Sequence, residues 1–141
     1  MTELYIDTNV ILDFVQRRDP FFYGAVGILR LRKLGRVRLY ASALSMANAA
    51  YALRKQDPTV TRTTMRATIK ALQVIALDGL QLSAAFNEFS AFTDIEDAMQ
   101  HAAALRAGAE VIITRNPKDF APAILPVMTP TQFLAQHAAA I

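Results

Sequence analysis

Three short segments of this chain place oxygen-bearing side chains where apolar runs end. Asp7 closes Leu4-Tyr5-Ile6 and is followed by Thr8 and Asn9; Thr114, Asn116 and Asp119 follow Val111-Ile112-Ile113; Asp94 and Asp97 flank Ile95-Glu96. If the two apolar runs are neighbouring strands of a parallel sheet, their carboxyl ends bring Asp7, Asn116 and Asp119 to one edge, where sheets of this kind bind ligands. Carboxylates gathered a few ångströms apart repel one another unless a cation sits among them. Cysteine is absent, so the donors are oxygens, which suits a hard divalent ion such as Mg²⁺ or Mn²⁺. Such an ion could acidify a bound water and polarise a bound substrate. Each acid also has a plainer reading. Asp94 would serve as an N-cap, Asp97 as a first-turn acid favoured by the helix dipole, and Asp7 and Asp119 as cap or turn residues.

The elements that must position these residues alternate between strand and helix. Residues 3–7 read as a strand, Phe22 to Leu34 as a helix ended near Gly35, and Val37 to Ala41 as a second strand. Ser42 is placed to cap a helix running to about Lys55, with Leu44, Ala47, Tyr51 and Leu53 inward. Pro58 suits a helix start, so Thr59 to Leu72 reads as a helix and Gln73 to Leu77 as a strand. A helix from Leu82 to Phe89 and one from Ile95 to Ala107, stopped by Gly108, precede a strand at Glu110 to Thr114. Leu125 to Met128 reads as an edge strand and Thr131 to Ala138 as a last helix. Such alternation predicts a mainly parallel sheet with helices on both faces.

The chain has 141 residues, enough for one domain (1–141) that buries a core without a staple. The absence of cysteine excludes a disulfide scaffold, thiolate ligands and thiol chemistry. No stretch approaches the roughly 18 apolar residues of a membrane span, and the N-terminus does not read as a signal peptide, so a soluble, cytoplasmic protein without a membrane partner is expected. The net charge of +3 hides an asymmetry: residues 1–70 carry 12 Lys/Arg against 5 Asp/Glu, and residues 71–141 carry 3 against 7. Arg30, Arg32, Lys33, Arg36 and Arg38 form a basic run without an acid among them, followed by Arg54, Lys55, Arg62, Arg66 and Lys70. A single such residue is ordinary helix surface; the accumulation favours a polyanionic partner, for which nucleic-acid phosphates are the natural choice. Arg30, Lys33, Arg36 and Arg54, with Arg115 and Lys118 beside the acids, are the candidate phosphate contacts. His101, one turn beyond Asp97, reads as a helix-surface residue, and His137 as uninvolved.

Tyr5-Ile6-Asp7-Thr8-Asn9-Val10-Ile11-Leu12-Asp13, Ser42-Ala43-Leu44, Asp94-Ile95-Glu96-Asp97-Ala98 and Ile113-Thr114-Arg115-Asn116-Pro117-Lys118-Asp119-Phe120 occur in the order and spacing of the PIN domain. The chain resembles in particular the VapC-like toxins of type II toxin–antitoxin modules. The resemblance implies a Rossmann-like three-layer α/β/α sandwich, an acidic Mg²⁺ or Mn²⁺ site and single-strand-specific endoribonuclease activity, inhibited by a cognate antitoxin; a homodimer is a further assembly to test. It carries Asp7, Asp97 and Asp119 over as metal-site acids, with Asp94 as a fourth and with Asn116 and Thr114 as polar supports. One position departs from the pattern: the helix after Ser42-Ala43-Leu44 has Asn48 where the family usually has a glutamate. An amide oxygen can still ligate Mg²⁺ or hold its water, but it brings no charge. Two other readings follow. One is a catalytically weakened or inactive PIN-like RNA-binding protein; the other is a Rossmann-like phosphohydrolase, which would need a second acid where Asn9 stands.

Overall fold

A computed structural model describes residues 1–137. Five parallel strands form one sheet: β1 (Thr2–Ile6), β2 (Val37–Ser42), β3 (Gln73–Ile75), β4 (Val111–Ile113) and β5 (Val127–Met128), in the spatial order β3-β2-β1-β4-β5. The helices between them are α1 (Thr8–Val15), α2 (Phe22–Lys33), α3 (Ala43–Ala52), α4 (Pro58–Ala71), α5 (Gly79–Asn87), α6 (Ile95–Ala107) and α7 (Pro130–Gln136), and a 3₁₀ turn spans Pro117–Phe120. β1 and β4 are neighbours with Ile6 beside Ile113. The strand ends carrying Asp7 and Thr114 are therefore side by side.

The strands alternate their side chains between two cores, as the period-2 geometry requires. Leu4, Ile6, Leu39, Ala41, Val111 and Ile113 pack against Val10, Ile11, Ala25, Ile28, Leu31 and Phe133 from α1, α2 and α7. Tyr5, Tyr40 and Ile112 face the other way, onto Ala85, Ala98, Ala102 and Phe120. A run of small residues along α6, Ala102 to Ala104, lets that helix lie close on the sheet. The three layers of an α/β/α sandwich follow.

Ends form where local chemistry directs them. Gly108 takes a left-handed φ of 72° at the C-terminus of α6, a conformation that costs a side chain with Cβ energy. Ser42 caps α3 by accepting from the Ser45 N–H at 3.2 Å. The largest departure from the expected elements is α1, an uninterrupted continuation of β1 into helix at Thr8. Asp7 causes it, capping that helix through Oδ1. The inward face of α3 also differs: Ser45, Ala49 and Leu53 are buried, whereas Ala47 is exposed and Tyr51 is 66% exposed. Small residues on that face let α3 approach α1 and leave the larger tyrosine outside. The last expected helix begins as α7, and its proposed end at Ala138 lies outside the described residues.

Candidate functional site

Asp7 sits between two elements that each hold one of its carboxylate oxygens. Oδ1 accepts from the Thr8 N–H at 2.8 Å, the first-turn N–H of α1; Oδ2 accepts from the Thr114 hydroxyl at 2.8 Å. The Asp7 N–H in turn donates to the Ile113 carbonyl at 2.9 Å. The cap reading of Asp7 is thus met, and the same side chain ties the start of α1 to Thr114. Thr114 also accepts from the Asn116 N–H at 3.2 Å and from Asn9 Nδ2 at 3.4 Å, and Asn9 Oδ1 accepts from the Arg115 N–H at 3.3 Å. Asn9 therefore fastens the start of α1 to the loop after β4, a role its short amide could not announce in sequence.

The other acids arrive from α6 and the 3₁₀ turn. Asp94 is exposed and caps α6, accepting from the Glu96 N–H at 2.7 Å. Asp97, in the first turn of α6, is half-buried, and Asp119 comes from the 3₁₀ turn. Burial raises the Asp7 carboxyl to about 6, with the Thr114 and Thr8 hydrogen bonds working against it and the charges of Glu96 and Asp119 adding to it. Burial likewise raises Asp97 to about 7, followed by the charges of Asp7, Asp94, Asp119 and Glu96. Asp7, Asp97 and Asp119 thus share one electrostatic environment, and Glu96 is part of it. Glu96 is raised by burial and by Asp94, and it accepts from Asn48 Nδ2 at 2.8 Å. This places Asn48 at the rim of the acidic group. It faces a carboxylate that lies next to Asp97 in sequence and was absent from the candidate set.

An all-oxygen donor set whose Asp7 and Asp97 carboxyls are raised, chiefly by burial and further by neighbouring acids, matches the chemistry of Mg²⁺ or Mn²⁺. Among the described residues no three acids stand close enough to hold one ion directly. An ion held here would have fewer than three direct carboxylate ligands, and water would have to complete its shell. Asn116 is exposed beside Thr114, and Lys118 is exposed on the 3₁₀ turn.

The candidate phosphate contacts do not gather. Arg115 forms an ion pair with Asp13 of α1, Nε to Oδ2 at 3.0 Å, and its guanidinium lies 4.2 Å from the Phe21 ring centroid. Asp13, fully buried, was not a candidate; its spacing from Asp7 along α1 was the available signal. Arg54 lies over the exposed Tyr51 ring at 3.9 Å, toward the far end of α3. Arg36 immediately precedes β2, with its carbonyl accepting from the Thr2 N–H at 3.1 Å. It therefore lies at the amino edge of a parallel sheet, about 20 Å from the Asp7 end at ~3.3 Å per residue. Arg30 and Lys33, in the last turn of α2, border an apolar cleft of about 710 Å³ between α1, α2 and α4. His101 also departs from expectation: it is fully buried, not on the helix surface. Its ring packs on Phe89 and Phe92, Nε2 accepts from the Ile124 N–H at 3.0 Å, and burial lowers its pKa. It is a neutral core residue.

Known structures share this architecture. A toxin–antitoxin complex from Klebsiella pneumoniae superposes with a TM-score of 0.70 at 22% identity over 90% of this chain and 97% of that one. VapBC-1 from nontypeable Haemophilus influenzae gives 0.69 at 17% identity over 92% and 99%. VapBC2 from Rickettsia felis, bound to a DNA fragment from its promoter, gives 0.67 at 13% identity over 91% and 98%. These identities establish the fold. No curated protein matches the chain. The PIN-domain family model matches residues 3–118, which spans every acid of the site except Asp119; the chain belongs to the PIN-domain family.

Proposed function

We propose that this protein is a metal-dependent endoribonuclease that cleaves single-stranded RNA, acting as the toxin of a toxin–antitoxin pair. The observation that carries this reading is the placement of Asp7 at the end of β1, held by Thr114, with the charge of Asp119 acting on both Asp7 and Asp97 and with Asp7 and Asp97 raised to about 6 and about 7. Carboxyls held this far above their ordinary range are poised to exchange protons for a cation. Asp7, Asp97 and Asp119 would hold Mg²⁺ or Mn²⁺, with Asp94 and the Asn48 amide at the periphery. Bound there, the ion supplies a water of lowered pKa and offsets negative charge at phosphorus. The protein's own contribution is orientation: Thr114 and the Thr8 N–H fix both Asp7 oxygens, and Asn9 holds the two loops together. Lys118 is free to meet a flanking phosphate. Family membership and the toxin–antitoxin neighbours support this reading.

The antitoxin would occupy the apolar cleft. Its walls include Val10, Ile11, Phe14, Phe22 and Val26, α4 on its far side buries none of its own residues, and Arg17, Arg30, Arg32 and Lys33 line it. That combination suits an amphipathic helix with acidic flanks. The basic first half then has a protein partner as well as a nucleic-acid one.

Asn48 favours a second reading, a PIN-like protein that binds RNA or titrates an antitoxin without cleaving. A phosphohydrolase is disfavoured because Asn9, where a second acid would stand, is engaged with Thr114 and Arg115. The test is cleavage of single-stranded RNA by inhibitor-free protein. Mn²⁺ should support it, EDTA should abolish it, and Asp7→Asn, Asp97→Asn and Asp119→Asn should each lower it by orders of magnitude while remaining folded. Full activity in Asp7→Asn and Asp97→Asn would end this assignment; RNA binding without cleavage in the wild type would favour the second reading.

A further inference from the structure

Beneath the acids lies a buried polar network. Gln100, Ser42 and Ser45 are each 0% exposed, as is Tyr5. The Gln100 amide nitrogen donates to Thr8 Oγ1 at 3.2 Å and to Ser45 Oγ at 3.1 Å, which uses both of its hydrogens. Its oxygen receives the Tyr5 hydroxyl, with the hydroxyls of Ser42 and Ser45 at 3.3 and 3.2 Å. Thr8 completes the ring by donating to Ser45 Oγ at 2.8 Å.

Two arms of this amide, to Thr8 and Ser45, reach residues adjoining the acidic site. Thr8 carries the N–H that holds Asp7 Oδ1. Ser45 lies three residues before Asn48 on α3, and Gln100 lies three residues after Asp97 on α6, so each is on the same helix face as its site neighbour. Apart from the Asn48–Glu96 hydrogen bond at the rim, β1, α1, α3 and α6 share no other side-chain hydrogen bond among the described residues. Only a neutral amide of this length serves here. A carboxylate would lack the N–H groups and add charge to an already repulsive cluster, and an apolar side chain would take away the acceptor shared by the buried Tyr5, Ser42 and Ser45 hydroxyls.

We infer that Gln100 is a positioning residue: its buried amide sets the placement of Asp7, Asp97 and Asn48 relative to one another. The inference rests on the ribonuclease reading for its consequence in catalysis but not for the tie itself. Removing the support behind site ligands commonly lowers metal affinity or rate by roughly 10–100-fold.

The experiment compares Gln100→Met, near in size and without the amide, with two controls. Tyr5→Phe removes one donor to the amide but leaves its bonds to Thr8 and Ser45; Ile112→Val trims the same core without touching the network. Melting curves, Mn²⁺ titration, kcat and KM on single-stranded RNA, and amide hydrogen exchange are measured for each. Gln100→Met is expected to lower kcat and Mn²⁺ affinity at least about tenfold with little change in KM, and to speed exchange at Thr8, Ser45 and Asp97. The controls are expected to lose melting temperature while staying within about twofold of wild type in kcat and Mn²⁺ affinity. If Gln100→Met does not fold, Thr8→Val severs the same tie from the other side and is expected to give the same pattern. A variant that merely melts earlier, with wild-type kcat, metal affinity and exchange, overturns the inference. A wild type that neither binds Mn²⁺ nor cleaves RNA overturns the enzyme reading instead. The exchange data then decide the tie alone: faster exchange at Thr8 and Ser45 in the variant sustains it, and unchanged exchange removes it.

Discussion

Asn48 Nδ2 donates to Glu96 Oε1 at 2.8 Å, joining α3 to the first turn of α6 at the rim of the acidic site. On the resemblance to PIN domains, which puts a glutamate at position 48, the residue here is instead a donor that faces a glutamate. A carboxylate at position 48 would meet another carboxylate.

That pairing predicts an unusual response to restoring the family residue. Asn48→Glu replaces a hydrogen bond by repulsion, and because both groups reach solvent the loss should be about 1 kcal/mol in the metal-free protein. The double variant Asn48→Glu/Glu96→Gln re-forms the bond in the opposite sense and should recover the melting temperature. Mn²⁺ should stabilise the single variant more than the wild type, since a ligand that binds only the native state raises its stability. Identical melting of the single and double variants would disconnect Asn48 from Glu96 in solution.

The raised acids give a stability signature with a definite sign. The native state holds protons on Asp7 up to about 6 and on Asp97 up to about 7, where the unfolded chain has released them. Between pH ~4 and ~7 the native state therefore binds more protons, and these groups make the metal-free fold less stable as pH rises. His101 works in the opposite direction, because its lowered pKa makes the unfolded chain the better proton binder below its ordinary value. The two effects are separated by difference: Asp97→Asn should remove part of the downward slope and leave that of His101. Urea midpoints across this pH range measure it. Parallel curves for wild type and Asp97→Asn would mean that Asp97 titrates as an ordinary surface acid.

The buried pair of Asp13 and Arg115 should be asymmetric. Asp13 is fully buried and Arg115 a quarter exposed. Arg115→Met leaves the buried acid with only the charge of Arg18 to offset it and should cost about 3 kcal/mol, limited by the acid taking up a proton. Asp13→Asn leaves a cation that can turn to solvent and should cost about 1 kcal/mol. Denaturant titration of both variants at pH 7 and pH 5 checks this, with the Arg115→Met deficit shrinking at the lower pH. Equal losses at both pH values would refute the asymmetry.

Much of the site was legible because apolar strands end in acids. Ile6-Asp7 and Ile113-Thr114 fix both the strand and its exit in one short run, and Gly108 marks the end of α6 by its backbone freedom. The α1 helix was not legible: Thr8, Val10 and Ile11 are β-branched and the segment continues β1 without a glycine or proline, so only the cap formed by Asp7 turns it. Gln100 reads as an ordinary helix-surface amide because its partners lie 55 to 95 residues away. The inward face of α3 was misjudged because small Ser45 and Ala49, not Tyr51, meet the neighbouring helix. The remoteness of Arg36 follows from its place just before a strand parallel to β1, a consequence of topology that charge counting does not contain.

That remoteness separates the two proposed partners of the basic half. Arg36 stands at the opposite sheet edge from Asp7, and Arg30 and Lys33 border the apolar cleft, so phosphates flanking a scissile bond at Asp7 are out of their reach. Lys118 shares the 3₁₀ turn with Asp119. Reversing Arg30, Lys33 and Arg36 together to glutamate should therefore leave the salt dependence of short-oligonucleotide binding nearly unchanged and weaken binding of the cognate antitoxin. Lys118→Glu should reduce the salt slope by about one counterion, because each neutralised phosphate releases close to one. Binding of a short single-stranded RNA measured by fluorescence anisotropy over a range of salt concentrations distinguishes them. A slope that flattens in the triple variant, with antitoxin binding intact, would return these three residues to the RNA and extend its path around the sheet to the far edge.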